Sequence, residues 1–353
     1  MSRLEKVLAL LTALPFGLGF ALSGASAPDG EVVFSFADPE IIESSGLVVR
    51  DGAFATVNDS GDGARVFTVD PGTGETVGET TWPAEPWDIE ALAPLPGGDV
   101  LVGDIGDNLG NRDAVTVTRV PVGDGQRSAP GASYDLTFPD GPHDAESLLV
   151  HPSTGRVFVA SKEFIGRLYA APEQLSDTGP NLMERLGEVM PISTDGAFFP
   201  DGQHFVLRDY GQARIYSYPA LEEVGEVDLP PQEQGEGIAI DEDGEVYVSS
   251  EGVHSEVLRI PLPERLRAEV DGTTAEGGSG DGTTDEGGSG DDAAEEGGSG
   301  GGPADEADRA GPAEPTDPDE GDSWTGIVLS PWLVGGAAFL VILLVLLRSL
   351  RPR

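Results

Sequence analysis

Residues 146–163 read ESLLVHPSTGRVFVASKE. An acidic residue and a small one lead into the apolar run Leu148, Leu149, Val150. Pro152, Ser153 and Gly155 then turn the chain, and a second β-type run from Arg156 to Ser161 ends in Lys162 and Glu163. Short apolar runs bounded by turn formers are strand signals, and two of them this close together make a hairpin. The same unit occurs four more times, as ESSGLVVRDGAFATVND (43–59), EALAPLPGGDVLVGD (90–104), DGAFFPDGQHFVLRDY (195–210) and EGIAIDEDGEVYVSSEG (236–252). Its small residues, Gly46, Ala91, Ser147, Gly196 and Gly237, recur at intervals of about 40 to 56 positions, the period of propeller blades.

Around these hairpins lie further β-type runs, among them ARVFTV (64–69) and AVTVTRV (114–120), with almost no helical periodicity. The expectation is an all-β chain whose residues 28–270 form a β-propeller of five blades, with six as the alternative. The last repeat has too little chain left for a fourth strand. EVVFSF (31–36) is placed to supply it and close the ring.

Aligning the repeats stacks polar residues at two positions. Before the first apolar strand stand Glu43, Glu90, Glu146, Asp195 and Glu236; at the end of the next stand Asp59, Asp104, Lys162, Arg208 and Glu251. In a propeller both sets converge on an axial funnel, where clustered carboxylates are costly unless paired or bound to a cation. Oxygen ligands without His or Cys suit Ca²⁺ or Mg²⁺ rather than zinc. Asp59-Ser60-Gly61-Asp62 and Asp104-Ile105-Gly106-Asp107 repeat a D-x-G-D element that either ligates such a cation or is an ordinary Asp/Gly turn. Lys162, the one lysine besides Lys6, and Arg208 either grip an anionic group or neutralise surplus carboxylates. His143, beside Asp144 and Glu146, is a candidate general base or a solvated loop residue. Trp87-Asp88 resembles the WD dipeptide but occurs once, not once per blade.

The chain of 353 residues has no cysteine and a formal net charge of −43. These exclude disulfide scaffolds, thiol nucleophiles and thiolate metal sites, and they argue against nucleic-acid partners, which need a basic footprint. Arg3 and Lys6, an apolar run from Val7 to Leu22 and the small residues Ala25-Ser26-Ala27 read as a secretory signal over 1–27; the alternative is a retained N-terminal membrane helix. Residues 271–323 open with three ten-residue Gly/Ser-rich acidic repeats and carry 17 acidic residues against Arg309 alone, the composition of a disordered, self-repelling linker. Gly297 to Gly301 matches the G-x-S-x-G hydrolase elbow, but inside this repeat it lacks the strand and helix the elbow needs. From 324 to 347 the chain is apolar and free of charge, flanked by Trp324 and Trp332, with Arg348, Arg351 and Arg353 in the tail 348–353. Such a run spans a bilayer with its C-terminus in the cytoplasm, making a single-pass type I membrane protein whose bulk is extracytoplasmic.

ESSGL, NDSGD, WDIEAL, GDIGDN, GPHDAESLL, SKE, LRDY, QGEGIA and YVSSEG together resemble a family of bacterial secreted or membrane-attached β-propeller proteins, over most of 40–262. More distantly the chain is similar to calcium-dependent propellers of the phytase-like and gluconolactonase kinds. That resemblance implies metal-type roles for Glu43, Asp59, Asp104, Glu146 and Glu236. Two functions follow as expectations. One is a membrane-anchored binding or scaffold module, with Ca²⁺ as its ion, that meets a cell-envelope component or a small anionic ligand. The other is a Ca²⁺-dependent hydrolase of a phosphoester or lactone, with Glu146 as base and with Lys162 and Arg208 stabilising the developing anion.

Overall fold

The computed structural model describes residues 30–59 and 61–272. The expected signal peptide, all of the acidic linker beyond Gly272, the apolar segment 324–347 and the basic tail lie outside them. Among the described residues no helix is long and apolar enough to cross a membrane.

The runs read as strands are strands. β1 is Glu31–Ser35. The first repeat forms β2 (Ser44–Arg50), β3 (Ala53–Asn58), β4 (Arg65–Val69) and β5 (Thr76–Thr81). The second forms β6 (Ile89–Pro94), β7 (Asp99–Asp104), β8 (Val115–Pro121), a short β9 (Gly125–Ser128) and β10 (Ala132–Thr137). β11 (Ala145–Val150), β12 (Val157–Ser161), β13 (Gly166–Ala170), the two-residue β14 (Asn181–Leu182) and β15 (Glu184–Val189) make the third. The fourth holds β16 (Asp195–Phe198), β17 (His204–Arg208), β18 (Gln212–Ser217) and β19 (Glu223–Asp228). In the fifth, β20 (Gly235–Ile240), β21 (Val246–Ser250) and β22 (Glu256–Ile260) precede a short helix, α1 (Glu264–Val270).

Each repeat folds into its own antiparallel sheet, giving five blades. β20, β21 and β22 lack an outer strand, and β1 supplies it by pairing antiparallel with β22, Glu31 opposite Arg259. The ring therefore closes through the N-terminal segment, as the sequence predicts. The innermost strands β2, β6, β11, β16 and β20 adjoin one another in a closed circuit. Two short strands escape the sequence pattern. β9 leaves the second repeat to pair in parallel with β5, and β14 leaves the third to pair with β10. They stitch the outer edges of the first three blades together.

Period-2 alternation sends successive side chains of a strand to opposite faces, and here each face meets a different neighbouring blade. The core is consequently five apolar clusters, one per seam. Val57, Val66, Leu92 and Val102 fill the seam between the first two blades, for example, and Phe158, Phe198, Phe205 and Leu207 the seam between the third and fourth. α1 adds Leu266 and Val270 to the cluster between the last two blades. Near the axis there is little room: a Cβ on Gly46 would lie 2.4 Å from the backbone nitrogen of Leu92. Gly196 and Gly237 are as confined, 2.5 Å from Leu207 Cδ2 and Ser249 Oγ, which explains the glycine in three repeats; Ala91 and Ser147 show that the other two admit a Cβ.

Closure rests on Phe34 of β1, which packs edge-on against Phe36 and Phe54 with ring centroids 5.4 and 5.1 Å away. Phe34→Ala is expected to cost about 3–5 kcal/mol in chemical denaturation. Val32→Ala, on the exposed side of the same strand, should stay within about 0.5 kcal/mol. Equal, small effects would mean that β1 does not hold the ring shut.

Candidate functional site

A bulge shapes the inner hairpin of four blades. The register slips between Ser44 and Gly46, between Ile89 and Ala91, between Ala145 and Ser147, and between Gly235 and Ile238. Two residues then oppose one, the extra residue is left out of the ladder, and its side chain is re-aimed. The residues thus released are Ser45, Glu90, Glu146 and Glu236. They converge across blades: the Ser45 hydroxyl donates to Glu90 Oε2 at 3.3 Å, and the charges of Glu90 and Glu146, and of Glu146 and Glu236, act on one another. The fourth blade has no bulge, and Asp195 pairs directly with Arg208.

Two residues before the bulge, the chain carries Glu43, Asp88 and Asp144, with Gln234 in the fifth blade. The backbone N–H of Asp59 donates to the Glu43 carbonyl, that of Lys162 to Asp144 and that of Glu251 to Gln234. Asp59, Lys162 and Glu251 are therefore equivalent and face the same mouth. One carboxylate oxygen from each of Asp59, Asp88 and Glu90 lies within 4.8 Å of the other two. Gly106 backs this trio closely, since a Cβ there would sit 2.4 Å from Asp88 Oδ2 and 2.8 Å from Glu90 Oε1. Any side chain at 106 would intrude on these carboxylates.

Burial dominates the electrostatics. It pushes Glu90 well above the ordinary carboxylate range, and Glu146, Asp59 and Asp88 push the same way. It also raises Glu146, although the Lys162 ammonium beside it works in the opposite direction. Glu236 is raised to about 7, again by burial, against the pull of Lys162 and Arg208. Its Oε2 is buried without a hydrogen-bond partner. Burial disfavours the Lys162 ammonium, yet Glu146, Glu236 and Tyr210 hold it above its usual range. Lys162 is ion-paired with Glu146, and its Nζ stands 5.3 Å from the centre of the Tyr210 ring.

Arg208 is fully buried, and burial lowers its guanidinium to about 10, so it stays charged at neutral pH. It donates to the carbonyls of Gly237 and Ser249, both at 3.1 Å, and so ties the fourth blade to the fifth. Its Nη2 lies where a Cβ of Gly235 would be, at 2.0 Å, so this glycine makes room for the guanidinium. Burial raises Asp195 far above its ordinary range, even though the backbone N–H groups of Ile238 and Gly196, each at 2.8 Å, donate to it. Asp195 and Arg208 form a wall between blades rather than an open surface.

Of the residues singled out from sequence, Asp59, Glu90, Glu146, Lys162, Glu236 and Glu251 meet in the funnel. Glu43 stands in its outer layer, where its charge and that of Asp59 help burial to raise Glu251. Asp104 is committed elsewhere: its oxygens accept from the backbone N–H of Trp87 and Asp88 at 2.9 and 3.0 Å and pair with Arg112 at 2.8 Å. The second Asp of each D-x-G-D element likewise holds its turn. Asp62 pairs with Arg65, and Asp107 accepts from the N–H groups of Asn111 and Arg112. Both ring nitrogens of His143 are engaged, by Asp140 at 3.0 Å and Glu163 at 3.1 Å. Asp88 and Asp144 were missed as site residues. The signal was present: D-I-E at 88–90 and D-A-E at 144–146 place a second carboxylate two positions before the bulge.

No family model and no curated protein matches the chain. Among solved structures it is similar to one titled "Streptogramin B lyase structure", at 10% identity and a TM-score of 0.36. The match covers 62% of this chain and spans 65% of that one, under two thirds of its length.

The raised carboxylates set a pH dependence. Between the unfolded carboxylate range and the higher folded value, the native state holds a proton that the unfolded chain has lost, so stability falls as pH rises. In chelator, midpoints should fall from about pH 5 to pH 8 as Glu236 titrates near 7. Glu236→Gln should make that slope shallower in thermal unfolding, with the remainder carried by the other raised carboxylates. An unchanged slope would place Glu236 in water.

Proposed function

We propose that the chain is a membrane-anchored, extracytoplasmic β-propeller that works as a binding or scaffold module, with a Ca²⁺ ion held in the axial funnel by Asp59, Asp88 and Glu90. The observation that carries this is the convergence of those three carboxylates beside the buried Glu236, whose Oε2 lacks a hydrogen-bond partner. The donor set fits the ion: hard oxygens only, numerous enough with added water for the six to eight that Ca²⁺ takes, and with no imidazole to favour zinc. When bound, the ion would neutralise charge that burial otherwise makes costly. The protein's own residues do the rest. The bulge at Glu90 aims a ligand inward, Gly106 leaves space beside it, and Asp104 positions Asp88 through its backbone N–H. The apolar run Ile327–Leu347, its trailing arginines and the acidic linker support display at a membrane surface, where the partner is a component of the cell envelope.

One observation favours hydrolysis as a second reading. Glu146 is buried and ion-paired with Lys162, whose Nζ stands 5.3 Å from the centre of the Tyr210 ring, and burial lifts its carboxyl to about 8, where it can exchange a proton near neutrality. Glu146 would then act as base on a phosphoester or lactone, with Lys162 stabilising the anion; Arg208, expected to share that role, is fully buried and bonded to the carbonyls of Gly237 and Ser249.

Calcium at a hundredfold excess over its Kd should stabilise the protein by roughly 2.7 kcal/mol, visible as a saturable rise in Tm that chelator reverses. Asp88→Asn and Glu90→Gln should abolish the rise. Asp104→Asn should lower Tm with and without calcium, because it loses the Arg112 ion pair and leaves one oxygen for the backbone N–H groups of Trp87 and Asp88. A flat titration would remove the cation from the site. For hydrolysis, a panel of phosphoesters and lactones should show turnover that Glu146→Gln abolishes with the fold retained; no turnover on any member would sink that reading.

A further inference from the structure

The funnel is ringed by large apolar side chains held in water. Phe164 is 93% exposed, Leu109 82% and Trp87 68%, and Ile165, Tyr210 and Val253 are also exposed. All six lie in loops that lead into an innermost strand or join the second strand of a blade to the third. In antiparallel blades those loops share one rim, the rim at which Asp59, Lys162 and Glu251 surround the funnel mouth. Exposed apolar side chains scattered singly need no explanation, but a crown drawn from four blades around one concave site marks an interaction surface.

The charge inside the crown selects the occupant. The half-buried Glu43, Asp59, Asp144 and Glu251 face the mouth and outnumber Lys162, while burial pushes the deeper Glu90, Glu146 and Glu236 toward their neutral forms. The chain carries −43 overall, so like-charge repulsion disfavours a second copy, an anionic polymer or an anionic bilayer on this face. We propose that the crown docks a basic, apolar-flanked segment of a protein partner. Its apolar side chains lie on Leu109, Phe164 and Val253, and its Lys or Arg side chains meet the carboxylates of the funnel mouth; the Trp87 and Tyr210 rings already carry the Arg112 guanidinium and the Lys162 ammonium, 5.9 and 5.3 Å from their centres. The proposal rests on the funnel's being the binding face and not on the metal.

The test uses the full chain and fluorescent synthetic twelve-residue peptides: alternating Lys and Leu, with alternating Glu and Leu and alternating Lys and Ser as controls. The Lys/Leu peptide should bind at least about tenfold tighter than either control, and its affinity should fall as salt rises. The double variant Leu109→Ser, Phe164→Ser changes only exposed loop tips and should lose about tenfold in affinity while its calcium-induced Tm rise stays unchanged. Equal binding of the Glu/Leu peptide, equal binding of the Lys/Ser peptide, or an unaffected double variant would each overturn the proposal. So would concentration-dependent self-association that the double variant abolishes, which would assign the crown to a second copy. Peptide binding that survives without a calcium response supports the docking surface and discards the metal; a calcium response without selective peptide binding does the reverse.

Discussion

Crowding at the axis is the constraint from which the rest of this structure follows. Five innermost strands must approach one another closely enough that a Cβ on Gly46 would overlap the backbone of the next blade. Glycine relieves such contacts in three repeats, and Ala91 and Ser147 keep the same position small in the other two. Four of the five hairpins respond with a bulge at the same register, just where the strand enters. The bulge removes one residue from the ladder and turns it toward the axis. Packing in the ring and placement of the polar site are thus two consequences of one local geometry.

Carboxylates brought together in this way are expensive. Burial raises Glu90, Glu146, Glu236 and Asp195 alike, each against whatever charge or backbone donor lies beside it. The blades answer differently. The third places Lys162 on Glu146. The fourth omits the bulge, and its Asp195 is wrapped by backbone N–H groups while Arg208 reaches over to carbonyls of the fifth. Toward the first two blades no side-chain cation among the described residues is ion-paired with Glu90, and there Asp59, Asp88 and Glu90 draw together beside Gly106. The asymmetry separates this acidic side from the wall opposite it.

The repeat, its period and the need for the N-terminal strand to complete the last blade were legible because turn residues and apolar alternation are local signals. So was the presence of acidic residues at the inner rim. Their assignment was legible only in part. Glu43 stands three positions before Gly46, whereas Glu90, Glu146, Asp195 and Glu236 stand one position before their small residues. The residue equivalent to them is therefore Ser45, and its hydroxyl touches Glu90. Asp104 looked equivalent to Asp59, but the register places it opposite Ile89 as Asn58 stands opposite Ser44, and like Asn58 it accepts the two backbone N–H groups ahead of the bulge, with Arg112 pairing its charge.

The sequence by itself determined the class of fold, the strand that closes the ring and the acidic character of the inner rim, and it narrowed the blades to five or six. These depend on residue type at short spacing, which neighbours along the chain specify. Only the tertiary structure decided which carboxylates share a space, which are spent on turns, that β9 and β14 cross to other blades, and that the exposed apolar side chains form a crown around the funnel. Those outcomes depend on the register of each bulge and on which loop of one blade overhangs the next, and residues far apart in sequence set both.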